Sequence, residues 1–261
     1  MQSPPVFVCR TQLMNRLVVL SGGQDSTTCL YMARARCEEE GGAVCAVTFN
    51  YGQRHERELD AARTIARMAG AQQTIINLPH NTLVGTSPLV NRDVEVEHYS
   101  GVEALPGGVE KTFVPFRNLL FLTIAANHAV ARDCGELWIG VSQEDYGGYP
   151  DCREHFLKQA ERALYAACPS HPLRIVAPLL FLSKRDTVLE AQRLSGCMDA
   201  LAYSHTCYDG AYPPNPHNHA SLLRARGFKD AGVADPLIMR AKAEGLLPAS
   251  YPDHGLVEVQ Q

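Results

Sequence analysis

Apolar runs too short for buried helices alternate with longer helical patterns along most of this chain, and that alternation constrains the fold more than any single motif. The run RLVVL at 16–20 is followed at once by SGGQDS and then by TTCLYMARARCEEE, which reads as strand, tight turn and a helix beginning near Thr27. AVCAVTFNY at 43–51 is a second buried strand, and HERELDAARTIARMAG a charged helix that stops at Gly70. QQTIINLP supplies a third strand. Residues 80–112, polar, aperiodic and punctuated by Gly and Pro, read as a long loop or lid. Beyond it come an apolar helix (RNLLFLTIAANHAVARDCG), a strand (ELWIGVS), a helix (PDCREHFLKQAERALYAA), another strand (LRIVAPLLF) and a helix (SKRDTVLEAQRLSG). Such alternation predicts an α/β fold, a doubly wound parallel sheet covered on both faces. The expected organisation is an N-terminal extension over 1–15, the α/β domain over 16–203, and a loop-rich, helical C-terminal appendage over 204–261.

Charge narrows the choice of partners. With 24 Lys and Arg against 28 Asp and Glu, no basic face is large enough to wrap a duplex, and no nucleic acid partner is expected. Nine cysteines, odd in number and scattered through apolar segments, lack the dense spacing of a secreted disulfide scaffold and fit a reducing cytoplasm. The first fifteen residues have neither the basic start nor the continuous apolar core of a signal peptide, and no apolar run approaches the ~18 residues of a membrane span. A cytoplasmic protein with no membrane partner is the expectation.

In a parallel sheet, ligands bind beyond the carboxyl ends of the strands, and the first strand ends in SGGQDSTT. Gly22 and Gly23 let the backbone turn tightly and present N–H groups to an anion, while the next helix aims its positive end at the same point. The loop matches neither G-x-x-x-x-G-K-S/T nor G-x-G-x-x-G, so neither a Walker NTPase nor a dinucleotide enzyme is supported. The plainer reading of the same residues is an ordinary strand-to-helix turn with Asp25 or Ser26 as N-cap.

S-G-G-x-D-S after a first strand resembles the pyrophosphate-binding loop of the N-type ATP pyrophosphatases, whose fold is adenine nucleotide alpha hydrolase-like and Rossmann-like. FNYGQRHERE at 49–58, FVPFRNLLFL at 113–122, EDYGGYPDCREHF at 144–156 and PLLFLSK at 178–184 then follow in an order and spacing similar to the 7-cyano-7-deazaguanine synthase (QueC) family. The likeness spans roughly 16–228, and its DYxGYPDCR stretch is too long and irregular to arise from packing. The resemblance implies an ATP-dependent ligase that adenylates 7-carboxy-7-deazaguanine and passes the acyl group to ammonia, giving the amide and then the nitrile. It implies ATP with Mg²⁺ held by Ser21, Gly22, Gly23, Asp25, Ser26 and Thr27, with Arg117 and Lys184 supplying cations where charge builds on the leaving group. Asp25, Arg117 and Lys184 are thus the candidate catalytic residues; a structural ion pair for Arg117 and a solvated helix start for Lys184 are the plainer alternatives. Gln53, Arg54 and His55, following the second strand, fall on the adenine and ribose side, although His55 also reads as a packed or capping histidine. Tyr146 or Tyr149 would stack on the deazapurine, Asp145 or Asp151 would receive its ring N–H groups, and Arg153 would pair with its carboxylate. Cys152 reads as packing rather than as a nucleophile. A homodimer is also implied.

Two stretches depart from the family. Phe116 stands where its V-P-G-R-N carries glycine, which either narrows the pocket or re-aims the loop. The family's four-cysteine zinc loop is reduced to Cys207, with Asn215, Asn218 and Ser221 falling on the other three positions. Neither Asn nor Ser is a normal zinc ligand, so zinc is expected to be absent, and Cys207, His217 and His219 are the sole remnant donor set. These departures keep a second reading open, a repurposed relative in a bacterial antiphage system that joins a deazaguanine to a protein amine. A non-catalytic nucleotide-binding protein is a third, and tRNA thiolation is disfavoured by the acidic balance.

Overall fold

The computed structural model describes residues 15–53, 57–79, 81–105, 108–143, 148–207 and 209–257. Among them, β1 (Asn15–Val19), β2 (Val44–Asn50), β3 (Gln72–Asn77), β4 (Cys134–Ile139) and β5 (Arg174–Val176) pair in parallel in the order β3-β2-β1-β4-β5. The order reverses direction at β1, which places a crevice beyond the carboxyl ends of β1 and β4. This is the doubly wound α/β fold that the alternation predicts.

Helices cover both faces because successive strand residues point opposite ways. Val18 and Leu20 face a core built with Leu30, Ile65, Val188, Leu201 and Phe228, from helices α1 (Gln24–Glu40), α2 (Arg57–Met68), α5 (Lys184–Arg193), α6 (Cys197–Leu201) and α7 (His219–Ala231). Leu17, Val47 and Leu137 face the other way, against Leu122, Ala125 and Leu157 of α3 (Arg117–Ala131) and α4 (Glu154–Ala167). A last helix, α8 (Pro236–Ala243), starts at a proline whose missing N–H costs nothing at that position. Phe228 is fully buried in the core that contains Val18, and His205 N donates to Gly22 O at 2.8 Å, so the chain after 204 is tied directly to the first strand's turn.

Several element boundaries differ from the sequence expectation, among them that between α3 and β4, where Cys134 and Gly135 belong to the strand. Helix α1 begins at Gln24 rather than near Thr27, and its N-cap is Gly23, not Asp25 or Ser26, because the extended Gly23 carbonyl already accepts the Thr27 N–H at 3.0 Å. Strand β5 has only three residues; Pro178 cannot donate to a ladder, and the chain turns with Leu180 N bonded to Ala177 O. Pro150–Cys152 forms a 3-10 turn, and α4 opens only at Glu154. Residues 81–105 and 108–112 form the expected long loop, relieved by one 3-10 turn at Val102–Ala104. No helix among the described residues is long and apolar enough to cross a membrane.

Candidate active site

A cavity of about 300 Å³ opens beyond the carboxyl ends of β1, β2 and β4, at the lower end of the range for small-molecule sites. The turn Ser21–Ser26 forms its floor, and two close approaches fix that turn. Gly22 has φ +90°, and a Cβ there would lie 2.6 Å from Glu58 O, so α2 packs against bare backbone. At Gly140, just past β4, a Cβ would lie 2.7 Å from Asp25 O. Only glycine at both positions lets strand end and helix start meet this closely. The Ser21 N–H and hydroxyl bond to Ser26 Oγ at 3.2 and 3.0 Å, and the Gly23 N–H to Ser21 Oγ at 3.3 Å. No side chain caps α1, so its positive end faces the cavity.

Cations converge on this floor from distant parts of the chain. Lys184, at the first position of α5 after the Ser183 cap, donates from Nζ to Asp25 Oδ2 at 2.6 Å. Its backbone is fixed from behind by α7, where a Cβ at Gly227 would lie 2.8 Å from Lys184 Cβ. Arg117 opens α3 and interacts with Tyr51 and Glu58. Burial pushes the Glu58 carboxyl up to about 7, and Arg117 pulls the other way. Arg153 lines the same cavity and donates to Gln143 O at 2.6 Å. An apolar wall completes the space: Phe49 and Phe121 stack at 4.1 Å with 4° between rings, and Tyr51 tilts against Phe121 at 5.4 Å. A flat ring and a polyanion would both find complementary surface here.

Ser21, Gly23, Asp25, Ser26, Gln53, Arg117, Tyr149, Arg153 and Lys184 all border this cavity. Gly22 and Thr27 stand behind the loop instead; Thr27 is fully buried and donates to Gly23 O at 2.8 Å. Gln53 accepts from Tyr51 N at 2.9 Å and donates to Phe49 O at 3.2 Å. Asp151 is buried below the wall, its carboxylate accepting from Asn118 N at 3.4 Å at the start of α3. Arg54, His55, Asp145 and Tyr146 lie outside the described residues. Cys152 lines the cavity while its thiol is held by Asn118 Nδ2 at 3.6 Å and faces Asp151 Oδ1 at 3.9 Å. Glu58, Tyr51, His205, Thr206 and His219 also line it without having been singled out as part of this pocket. Glu58 stands inside the FNYGQRHERE stretch that carries the family resemblance, and that membership was the available signal.

Phe116 is not among the residues that line the cavity, so its benzyl group does not narrow it. Its backbone keeps the left-handed conformation, φ 63°, and its ring is 74% exposed. That conformation costs a residue with a Cβ ~1–2 kcal/mol.

The 207–221 loop is organised around one thiol. Cys207 is buried, and its Sγ accepts from Asn218 Nδ2 at 2.9 Å and from Asn215 N at 3.4 Å. Asn218 also caps α7, accepting the Ser221 N–H at 2.9 Å. His217 turns away to Tyr99 O, and His219 Nε2 lies 3.0 Å from Glu110 Oε1. Among the described residues no three His, Cys, Asp or Glu side chains converge as metal ligands. Amide N–H groups point at the sulfur where a metal would have to sit, so these residues do not fit a zinc ion. The loop at 97–99 fastens this segment: Tyr99 N donates to His217 O at 2.7 Å, and His98 Nε2 lies 3.0 Å from Asp209 Oδ2.

Sheet order, glycine-shaped turn and cation-lined cavity together define a doubly wound α/β protein of the kind that holds ligands where its sheet reverses direction. Sequence comparison carries this further. The chain belongs to the QueC family: the family described as Queuosine biosynthesis protein QueC matches residues 15–232. Relatives named 7-cyano-7-deazaguanine synthase are 50% identical in Chromobacterium violaceum, over 87% of this chain and 94% of the relative, and 50% in Laribacter hongkongensis, over 86% and 94%. A third, from Gloeobacter violaceus, is 44% identical over 85% and 94%. Among solved structures, the U34-tRNA thiolase NcsA of Methanococcus maripaludis has a TM-score of 0.42 at 18% identity, over 91% of this chain and 74% of that one. A likeness at that level carries no inference about chemistry.

Proposed function

We propose that this chain is a 7-cyano-7-deazaguanine synthase that uses ATP to activate 7-carboxy-7-deazaguanine. The observation that carries the reading is the convergence of the Ser21–Ser26 turn, Lys184, Arg117 and Arg153 on one cavity, in a member of the QueC family. The substrate carboxylate attacks the α-phosphorus of ATP and pyrophosphate leaves; an amine nitrogen then attacks the acyl carbon and AMP leaves. With ammonia the product is the amide, and a second activation at the amide oxygen, followed by loss of AMP, gives the nitrile.

The chain's own groups support each stage. Backbone N–H groups of the turn and the open end of α1 favour the pyrophosphate, and Lys184 and Arg117 stabilise the charge that grows on it. Asp25 and the Ser21 and Ser26 hydroxyls supply the hard oxygens that Mg²⁺ takes alongside phosphates, and the bound ion would neutralise phosphate charge. The Phe49–Phe121 wall and Tyr149 suit flat heterocycles, and Arg153 suits a carboxylate.

Incubation with Mg-ATP, 7-carboxy-7-deazaguanine and ammonium, followed by mass spectrometry of nucleotide and base products, tests the reading. AMP together with the nitrile is expected. AMP without amide or nitrile, and with added mass on a co-expressed protein, would transfer the reaction to a macromolecular amine. No ATP turnover would sink both versions.

A further inference from the structure

Beside the main cavity lies a second, partly open void of about 10 Å³, roughly one water molecule in size, lined by Val96, Tyr99, Glu110, Lys111, Thr112 and His219. His219 lines both spaces and forms the wall between them. Glu110 and His219 are each 6% exposed. Glu110 Oε2 accepts from Thr112 Oγ1 at 2.9 Å and from the Tyr149 hydroxyl at 3.1 Å. Its Oε1 has no hydrogen-bond partner among the described residues. The same holds for His219 Nε2: the two atoms are 3.0 Å apart but out of line for a hydrogen bond. Buried polar atoms left in this state cost ~1–3 kcal/mol each, so two of them together at a void need an explanation.

The groups around the void narrow what can fill it: burial and the Lys184 charge push the His219 imidazole down to about 4, so it is neutral and its Nε2 can accept a hydrogen bond. Lys111 is already paired with Glu97, and Glu97 also accepts from the Tyr99 hydroxyl at 2.9 Å. Burial pushes the Glu110 carboxyl up, against the hydrogen bonds from Thr112 and Tyr149, and the Glu97 charge adds to the rise. A small cation able to donate hydrogen bonds would complete both orphaned atoms and meet the Tyr99 ring, which stands 6.4 Å from the His219 ring.

We propose that Glu110 Oε1 and His219 Nε2 form the seat of the nitrogen donor, which binds as free ammonium, leaves one proton on the Glu110 carboxylate and passes His219 into the main cavity as ammonia. The proposal rests on the synthase reading above and chooses between its donors: a space of about one water molecule favours ammonium over a substituted amine. It also gives the rewritten 207–221 segment a task, since His219 opens the helix that this segment caps.

The test is steady-state kinetics of the full chain with Mg-ATP and 7-carboxy-7-deazaguanine, with ammonium and methylammonium as alternative donors. Glu110→Gln is expected to raise KM for ammonium about tenfold or more, as loss of a hydrogen bond to a charged group implies, with KM for ATP and for the carboxylate little changed. His219→Asn should do the same, and keeps the question answerable if the first variant does not fold. The parent chain should reject methylammonium. An unchanged KM for ammonium in both variants, or a rise confined to the carboxylate through loss of the Tyr149 contact, would overturn the seat, as would use of methylammonium as efficiently as ammonium. If the parent chain forms no AMP from ATP and the carboxylate, the synthase reading itself has failed and the donor seat falls with it.

Discussion

Two of the turns that lead into helices are built on opposite principles. The Ser21–Ser26 turn is fixed by backbone: glycines at 22 and 140 allow contacts that a Cβ would forbid, and no side chain caps α1. The 207–221 segment is fixed by side chains: Asn218 caps α7 and, with Asn215, satisfies the Cys207 thiol, while the 97–99 loop holds it from outside. An uncapped helix start keeps its N–H groups available to a ligand, whereas a capped one has used them. The first turn therefore cannot vary without moving the sheet, and the second can be rewritten residue by residue. This is where the chain lacks the cysteines that the family resemblance leads one to expect.

The sharpest break in this comparison would come from Lys184, which reaches Asp25 of the first turn. Lys184→Met should lower AMP formation by roughly 10²–10³-fold, the usual loss on removing one group that stabilises developing charge, measured as initial rate at saturating ATP. A loss of less than about tenfold would mean that Arg117 and the helix end suffice. Next in size is Gly22→Ala. It adds ~1–3 kcal/mol of left-handed strain and a comparable overlap with Glu58 O and Ala62 N, so chemical denaturation should show a large loss of stability. Gly70→Ala is the control, because Gly70 has φ +67° but no atom within 4 Å of the added methyl, leaving only the conformational cost. Equal losses at the two positions would remove the argument from close packing.

These effects could be ranked from sequence only in part. The alternation of RLVVL, AVCAVTFNY and ELWIGVS with helical patterns was enough for the parallel sheet, because strand and helix periods are local properties. SGGQDS marked the turn for the same reason. What stayed hidden was long-range: Gly227 allowing α7 to meet Lys184, and Asp151 turning under α3, depend on contacts between residues far apart in the chain. That the Phe116 ring faces solvent rather than the pocket was hidden for the same reason. The loss of zinc ligands was legible by counting, but the thiol-centred hydrogen bonds that occupy the position were not, since asparagine carries no sign of what it will bond.

Glu58 tests the first turn from its far side. Its carboxyl is raised from 4.5 to about 7 by burial, so the folded chain holds a proton that the unfolded chain releases between those values. Stability therefore falls as pH rises from 4.5 to about 7 and is level above it. Glu58→Gln, neutral throughout, should erase this loss: its stability relative to the parent should be on the order of 1–2 kcal/mol better near pH 8 than near pH 4.5, after allowing for partial exposure. Melting curves at the two pH values measure this, and a difference of opposite sign would mean that the ionised carboxylate with Arg117 is the favoured pair.

The smallest effect separates the two functions of Asn218. Asn218→Ala removes both the cap of α7 and the donor to Cys207, and should cost ~1–2 kcal/mol by denaturant melting. Asn218→Asp keeps an acceptor for the Ser221 N–H but offers the thiol no amide proton, so the difference between the two variants reports the cap and the residual loss in Asp reports the thiol contact. If hydrogen bonds hold this segment, an added zinc salt leaves the melting temperature of the parent unchanged. A rise would mean that Cys207 releases its two N–H partners to a metal, and that the second turn is held by ligands after all.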